Sequence, residues 1–345
     1  MNIKDHSMKK YLLSILLFCW TVTLLAQEAE KPVSPWSCTG IVGLNASATG
    51  LVNWSAGGNN NINGVAFGKV RLLYNGKNLS WETNLNLEYG LSYVDQKYDA
   101  FQKSSDVIDF KTKFGWQFHK SWFLTISGGF KSQFDLGRAY DGTEAADPII
   151  SKFLSPSYTD ISVGIDWKPN SIFSVYLSPI AGQITTAYVG DALEAANPGL
   201  RRQMQEKFAT WTYSNEPNAD GTYDKIYQNS KAELGLTFKG SINYTYKDLK
   251  VITTVGLFTP YAWDKTEVYD AEQHFIGYRD NNRRFGNFDV DWDVAVSYQF
   301  LKCLNVTLST SLKYYNGVKI ADKDGNLAER VQFKSVLGVG VGYSF

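Results

Sequence analysis

Across most of the chain apolar and polar residues alternate with a period of two, the pattern of strands with one apolar and one polar face. The clearest case is the C-terminal stretch AERVQFKSVLGVGVGYSF. Val331, Phe333, Leu337, Val339, Val341, Tyr343 and Phe345 fall on one side, and Arg330, Gln332, Lys334, Gly338, Gly340, Gly342 and Ser344 on the other. Reading such runs between turn signals predicts twelve strands, at about 36–48, 62–75, 79–93, 105–118, 121–134, 157–168, 171–183, 230–246, 249–263, 285–300, 303–316 and 329–345. Their connections alternate strictly. Asn75-Gly76-Lys77-Asn78, His119-Lys120, Lys168-Pro169-Asn170, Lys247-Asp248 and Leu301-Lys302 are short, whereas 49–61, 94–104, 135–156, 184–229, 264–284 and 317–328 are long.

That parity predicts an all-β fold, an antiparallel up-and-down transmembrane β-barrel of about 12 strands, with short periplasmic turns, long outer loops and both termini in the periplasm. The faces follow. In the tenth strand Phe288, Val290, Trp292, Val294, Val296, Tyr298 and Phe300 point to lipid, and Asn287, Asp289, Asp291, Asp293, Ser297 and Gln299 to the lumen. In the eleventh, Leu304, Val306, Leu308, Leu312 and Tyr314 point outward, and Asn305, Thr307, Ser309, Ser311 and Lys313 inward. Alternate charges cannot face hydrocarbon, so the polar side is a wet or paired interior. Trp81, Trp116, Trp122, Trp167, Tyr246 and Phe300 cluster beside the short turns as an interfacial girdle. The aromatic C-terminus, with Val341, Tyr343 and Phe345, resembles the insertion signal of outer-membrane barrels, which implies the barrel-assembly machinery as a partner during insertion.

At the other end, Lys9 and Lys10 precede the apolar run Tyr11 to Leu25, and Ala26-Gln27 offers a cleavage point. Residues 1–26 therefore read as a removed signal peptide and 27–345 as the barrel. Cleavage takes three of the 34 basic and one of the 34 acidic residues, leaving a charge of −2, which argues against nucleic acid as a partner. Cys38 and Cys303 fall on strands one and eleven with strand twelve between them, about 9.5 Å apart and beyond disulfide reach, so free thiols are expected.

Several segments together resemble an outer-membrane family of Gram-negative bacteria, domain of unknown function 3078 (DUF3078). They are Leu51-Val52-Asn53-Trp54 with Gly57-Gly58-Asn59, Trp81-Glu82-Thr83-Asn84 with Tyr89-Gly90-Leu91, Phe130-Lys131-Ser132-Gln133-Phe134, Leu177-Ser178-Pro179 and Val331-Gln332-Phe333-Lys334. The resemblance implies an outer-membrane β-barrel and no particular reaction. The loop at about 186–229 is long for that family.

The candidate chemistry is electrostatic. Inward charges form a basic group, Lys111 and Lys113 beside Lys131, and an acidic ladder, Asp289, Asp291 and Asp293, near Lys313, Arg330 and Lys334. Two readings compete: paired charges that brace the wall, and a charged lining that biases which ions pass. Turn counting places Arg71 opposite Glu82, and makes Asp291 with Lys313 a second pair. No metal, cofactor or catalytic residue is predicted. His119 falls in a short turn and His274 in a long loop, and a lipase would need a Ser-His pair. In the long loop Asn197-Pro198 reads as the start of a helix, with Leu200, Met204 and Phe208 on one face and Arg201, Arg202, Glu206 and Lys207 on the other, and Tyr188, Trp211, Tyr213, Tyr223 and Tyr227 nearby. The functions in play are a narrow passive channel for small hydrophilic solutes, a closed structural or partner-binding barrel, and a lipid-modifying enzyme, each with outer-membrane lipid around it.

Overall fold

The computed structural model describes residues 34–49, 61–95, 100–140, 148–170, 172–214, 218–219, 223–261, 265–269, 274–280, 285–301, 304–316, 318–321 and 327–344. The expected signal peptide, Cys303 and Phe345 lie outside the described residues. The chain divides into Met1–Pro35 and a barrel unit, Trp36–Phe345.

Twelve antiparallel strands close into one ring. They are β1 Trp36–Thr49, β2 Asn61–Asn75, β3 Leu79–Val94, β4 Phe101–His119, β5 Trp122–Ser132, β6 Ser157–Trp167, β7 Phe173–Thr186, β8 Ser230–Tyr246, β9 Leu249–Pro260, β10 Asp289–Gln299, β11 Leu304–Tyr314 and β12 Gln332–Ser344. Each pairs with its sequence neighbours, and β1 closes the ring on β12 from Ile41↔Ser344 to Ala46↔Val339. The strand number and the alternation of short and long connections match the sequence reading. Closure satisfies the backbone without a free edge, which hydrocarbon requires.

Strand ends depart from the sequence reading where a bulge breaks the alternation. Ser104 is left between the pairs Gly90↔Ser105 and Leu91↔Lys103, so β4 starts at Phe101 although the period-two run begins near 105. In β7 the ladder skips around Ser178-Pro179, since Thr237 pairs Ser178 and Gly235 pairs Ala181, and the strand then continues to Thr186. The long loops also carry hairpins that alternation did not reveal: Trp211–Tyr213 with Lys225–Tyr227, Lys265–Tyr269 with Phe275–Asp280, and Lys319–Ala321 with Leu327–Glu329.

The outer face is apolar. Leu44, Ile126, Ile161, Ile180, Leu234, Trp292, Phe333, Leu337 and Val341 are exposed on it. Lys or Arg in their place near the bilayer midplane would cost about 2–4 kcal/mol each. At the short-turn rim Trp81, Trp116, Trp122, Trp167, Tyr246 and Phe300 are all exposed, Trp36 meets Trp81 at 5.8 Å, and Trp122 meets Trp167 at 6.2 Å.

The long loop after β7 holds two short helices, α1 Asp191–Ala196 and α2 Leu200–Lys207. Asn197 ends α1, and α2 starts from Gly199, whose φ of 88° is left-handed, so the N-cap falls two residues after the one the sequence suggested. The orphan amides are taken up by Glu194 instead: its carboxylate accepts from Gly199 N at 2.9 Å and Arg201 N at 2.6 Å. Leu200 and Met204 bury against Ile149, Ala187 and Val189, with Leu136, Leu193 and Phe208 around them. The apolar stripe of α2 therefore rests on the preceding long loop and the end of β7, as a cap over the long-loop rim.

Candidate functional site

Side chains pointing inward are identified by contacts that cross the ring and by the side chains that share their face in the register. Lys131 Nζ on β5 lies 4.0 Å from Asp291 Oδ2 on β10, five strands away. One residue past β11, Tyr315 stacks on Tyr158 of β6 with centroids 5.7 Å apart and planes at 18°. Asp291 is the hub of this bridge. Lys313 Nζ is 3.2 Å from its Oδ1, and the Tyr315 hydroxyl donates to it at 2.8 Å. Asp289, buried, accepts from the Asn316 amide at 2.8 Å, and Asp293 accepts from Ser311 at 2.6 Å. The direct pairing of Asp291 with Lys313 follows the register that turn counting gives.

A second cluster lies toward the short turns. Asp166 has no solvent-accessible surface; Lys113 Nζ is 2.6 Å away, Lys168 Nζ 3.3 Å, and Ser174 donates at 2.8 Å. Between the tiers Lys239 Nζ on β8 reaches Asp160 on β6 at 2.9 Å. The Asp160 carboxylate stands against Gly129: a Cβ there would lie 2.2 Å from Oδ1, so a larger residue would push that carboxylate aside.

Around β5 to β9 the inward residues Thr125, Ser127, Ser162, Tyr176, Ser178, Thr237 and Phe258 are buried, and Tyr176 donates to Ser162 at 2.9 Å. The wall of β2 to β4 is different. Arg71, Lys69 and Lys111 pair with Glu82, Glu88 and Asp109, yet remain open to solvent within the barrel.

Several sequence placements change. Arg71 stands opposite Asn84 in the register and reaches Glu82 diagonally at 2.8 Å. Lys131 stands opposite Asp109, with Lys111 one rung away opposite Gly129, so the basic group is interleaved with an acid. Arg330 precedes β12 and its Nε is 3.4 Å from Ile320 O in the loop hairpin; Lys334 stands opposite Ser311 and is exposed. Val341 pairs Leu44, and Tyr343 pairs Val42. The sequence reading missed Asp160 and Asp166, the acids that partner the inward lysines; the odd-even parity of β6 against Ile161, Val163 and Trp167 would have exposed both. Cys38 is a free, exposed thiol. Among the described residues no group of His, Cys, Asp and Glu is arranged to hold a metal. His119 ends β4 at the short-turn rim and His274 belongs to a long loop. The loop aromatics face their own cations: Lys225 lies 4.3 Å over Trp211, and Arg202 lies 4.6 Å over Tyr227.

A closed ring of twelve strands with an apolar exterior, an aromatic girdle and a charged interior defines a β-barrel of the outer-membrane kind. Residues 46–137 match the model of a family described as a protein of unknown function (DUF3078), the family the sequence resembles. No curated protein matches the chain. Among solved structures, the COG4313 outer membrane channel from Pseudomonas putida F1 is similar at 9% identity and TM-score 0.36, covering 93% of this chain and 98% of that one. The translocator domain of autotransporter NalP from Neisseria meningitidis gives 10% and 0.34, with 99% and 98% covered. The NanC porin gives 9% and 0.33, with 88% and 97% covered. At such scores the classification stands on the closed ring and its two faces.

Proposed function

We propose that this barrel is a narrow passive channel of the outer membrane for small hydrophilic solutes, with its termini and short turns in the periplasm. The observation that carries the reading is the inward wall of β2 to β4, where Lys69, Arg71 and Lys111 point into the barrel and still offer about half of their side-chain surface to water. A barrel packed solid would bury them, as it buries Asp166. The Lys131–Asp291–Lys313 bridge then acts as a constriction beside the path, with opposite charges facing each other. Membrane lipid covers the apolar exterior, and the β12 terminus with Val341, Tyr343 and Phe345 engages the assembly machinery during insertion. Near-neutral charge gives nucleic acid no purchase.

A closed structural barrel is the second reading, favoured by the Tyr158–Tyr315 stack across the lumen and the cap on α2. Planar-bilayer recording with purified protein separates the two. Stepwise conductance is expected from the intact chain, larger after deletion of residues 190–226; no conductance from either protein overturns the channel. Impermeant thiol reagents applied to intact cells should reach a cysteine placed at Asp191 but not one placed at Lys120 or Lys247, and the reverse would invert the topology.

A further inference from the structure

Three ion pairs formed within the inward face of β2 to β4 share one asymmetry among the described residues. Lys69 Nζ is 3.9 Å from Glu88, Arg71 Nε 2.8 Å from Glu82, and Lys111 Nζ 3.0 Å from Asp109. In each the cation is the more accessible partner, at 47% against 25%, 43% against 25% and 52% against 18%. The carboxylates are the more covered partners, and the cationic side chains are the ones that present surface to the lumen. At the bridge the charges are level instead, with Lys131 at 29% and Lys313 at 33% against Asp291 at 31%.

Register places these cations together. Arg71, Asn84 and Lys111 share one rung of the sheet, and Lys69, Asn86 and Asp109 share the next. Arg71 and Lys111 are thus two strands apart, about 9.5 Å along the sheet. On the same wall Oδ1 of Asn63, Asn86 and Asp109 is buried without a protein donor among the described residues, while Asp109 Oδ2 faces Lys111, so it is the cationic side chains that meet the lumen's water. A wet path bordered by low-dielectric walls and presenting cationic ends concentrates anions.

We infer that the conduit runs off-axis along β2 to β4 and selects small anions, those bearing carboxylate or phosphate groups included, with Lys69, Arg71 and Lys111 as the selecting residues. Guanidinium and ammonium groups at this spacing present several donors to one oxyanion. The inference rests on the channel reading, and the experiment keeps the two apart.

Reversal potentials across a KCl gradient, then across a potassium phosphate gradient, should show chloride and phosphate permeability exceeding that of potassium by a few-fold. K69Q/R71Q/K111Q should abolish the preference while conductance persists. Because that triple change leaves three carboxylates unpaired and risks misfolding, the second variant is Lys111→Cys in a background with Cys38 and Cys303 replaced by serine. A positively charged thiol reagent should restore anion preference to it, and a neutral reagent of equal size should not. Absence of any current overturns the channel itself. Current that is cation-preferring, unselective, or unchanged in selectivity by both variants overturns this inference and leaves the channel standing.

Discussion

Two stretches of the barrel wall, β5 to β9 and β2 to β4, have the same sequence grammar and different interiors. Around β5 to β9 inward Thr125, Ser127, Tyr176 and Asp166 are buried; around β2 to β4 inward Lys69, Arg71 and Lys111 stand in solvent. Both stretches alternate apolar outward and polar inward. What separates them is how far their inward side chains reach beyond the adjacent strand. On the first, Lys113 reaches over β5 to Asp166 on β6, and Lys131 and Tyr158 meet partners five strands away, whereas the Lys239–Asp160 pair, over β7, stays 35% and 41% exposed. Alternation assigns a face, and packing beyond the adjacent strand decides how dry each part of that face is.

The largest expected effect comes from removing a charge on the dry side. In Asp166→Asn, Lys113 and Lys168 lose their carboxylate where water does not replace it, and a cost of about 3–5 kcal/mol is expected in denaturant unfolding from lipid vesicles. The matching change on the wet side, Glu82→Gln, leaves Arg71 in solvent and should cost no more than about 1 kcal/mol. Equal losses would erase the distinction between the walls.

The acidic ladder tests the border between them. Asn replacements at Asp289, Asp291 and Asp293 together strand Lys131 and Lys313 and unlink Tyr315 and Asn316, so a loss of about 1–3 kcal/mol and a lower melting temperature in detergent are expected. Unaltered melting with altered ion preference would mean that these carboxylates border the open path and that the bridge does not hold the walls together.

Legibility in the sequence followed the range of the signal. Strand number, parity and faces came from neighbours two residues apart, and the readings slipped where Ser104 and Ser178-Pro179 insert an extra residue. Direct pairing counted from the turn was legible for Asp291 and Lys313, but Arg71 reached Glu82 on a diagonal that counting cannot supply. The bridges were not legible, because which inward side chains meet depends on how the ring closes, and that is set by all twelve strands together. On α2 the apolar stripe of Leu200, Met204 and Phe208 was plain, whereas its start was not: Asn197-Pro198 has the composition of a cap, yet Glu194 of the previous turn takes the amides.

The smallest expected effect lies in the loop cap, outside both walls. Glu206, on the last turn of α2, accepts hydrogen bonds from Lys225 and Tyr227 of the hairpin that follows. Partial desolvation works against its charge, but those hydrogen bonds and the Lys225 and Arg202 charges outweigh it and hold the carboxyl below the usual carboxylate range. A depressed folded-state pKa contributes stability that is fully present above the unfolded-state value and is lost as pH falls through the folded one. The cap should therefore hold unchanged from neutral to mildly acidic pH and loosen only below the ordinary carboxylate range. The gain is small, because the pair is largely solvent-exposed and screened. Hydrogen exchange of residues 187–229 measures it: protection should fall at low pH in the natural protein, and Glu206→Gln should show part of that loosening already at neutral pH around 206 and 225–227, the further fall at low pH coming from Glu194 at the start of α2. Barrel strands should keep their protection throughout. Loss of protection in β7 and β8 together with the cap would show that the loop braces the dry wall, and loosening near neutral pH would remove Glu206 as the link.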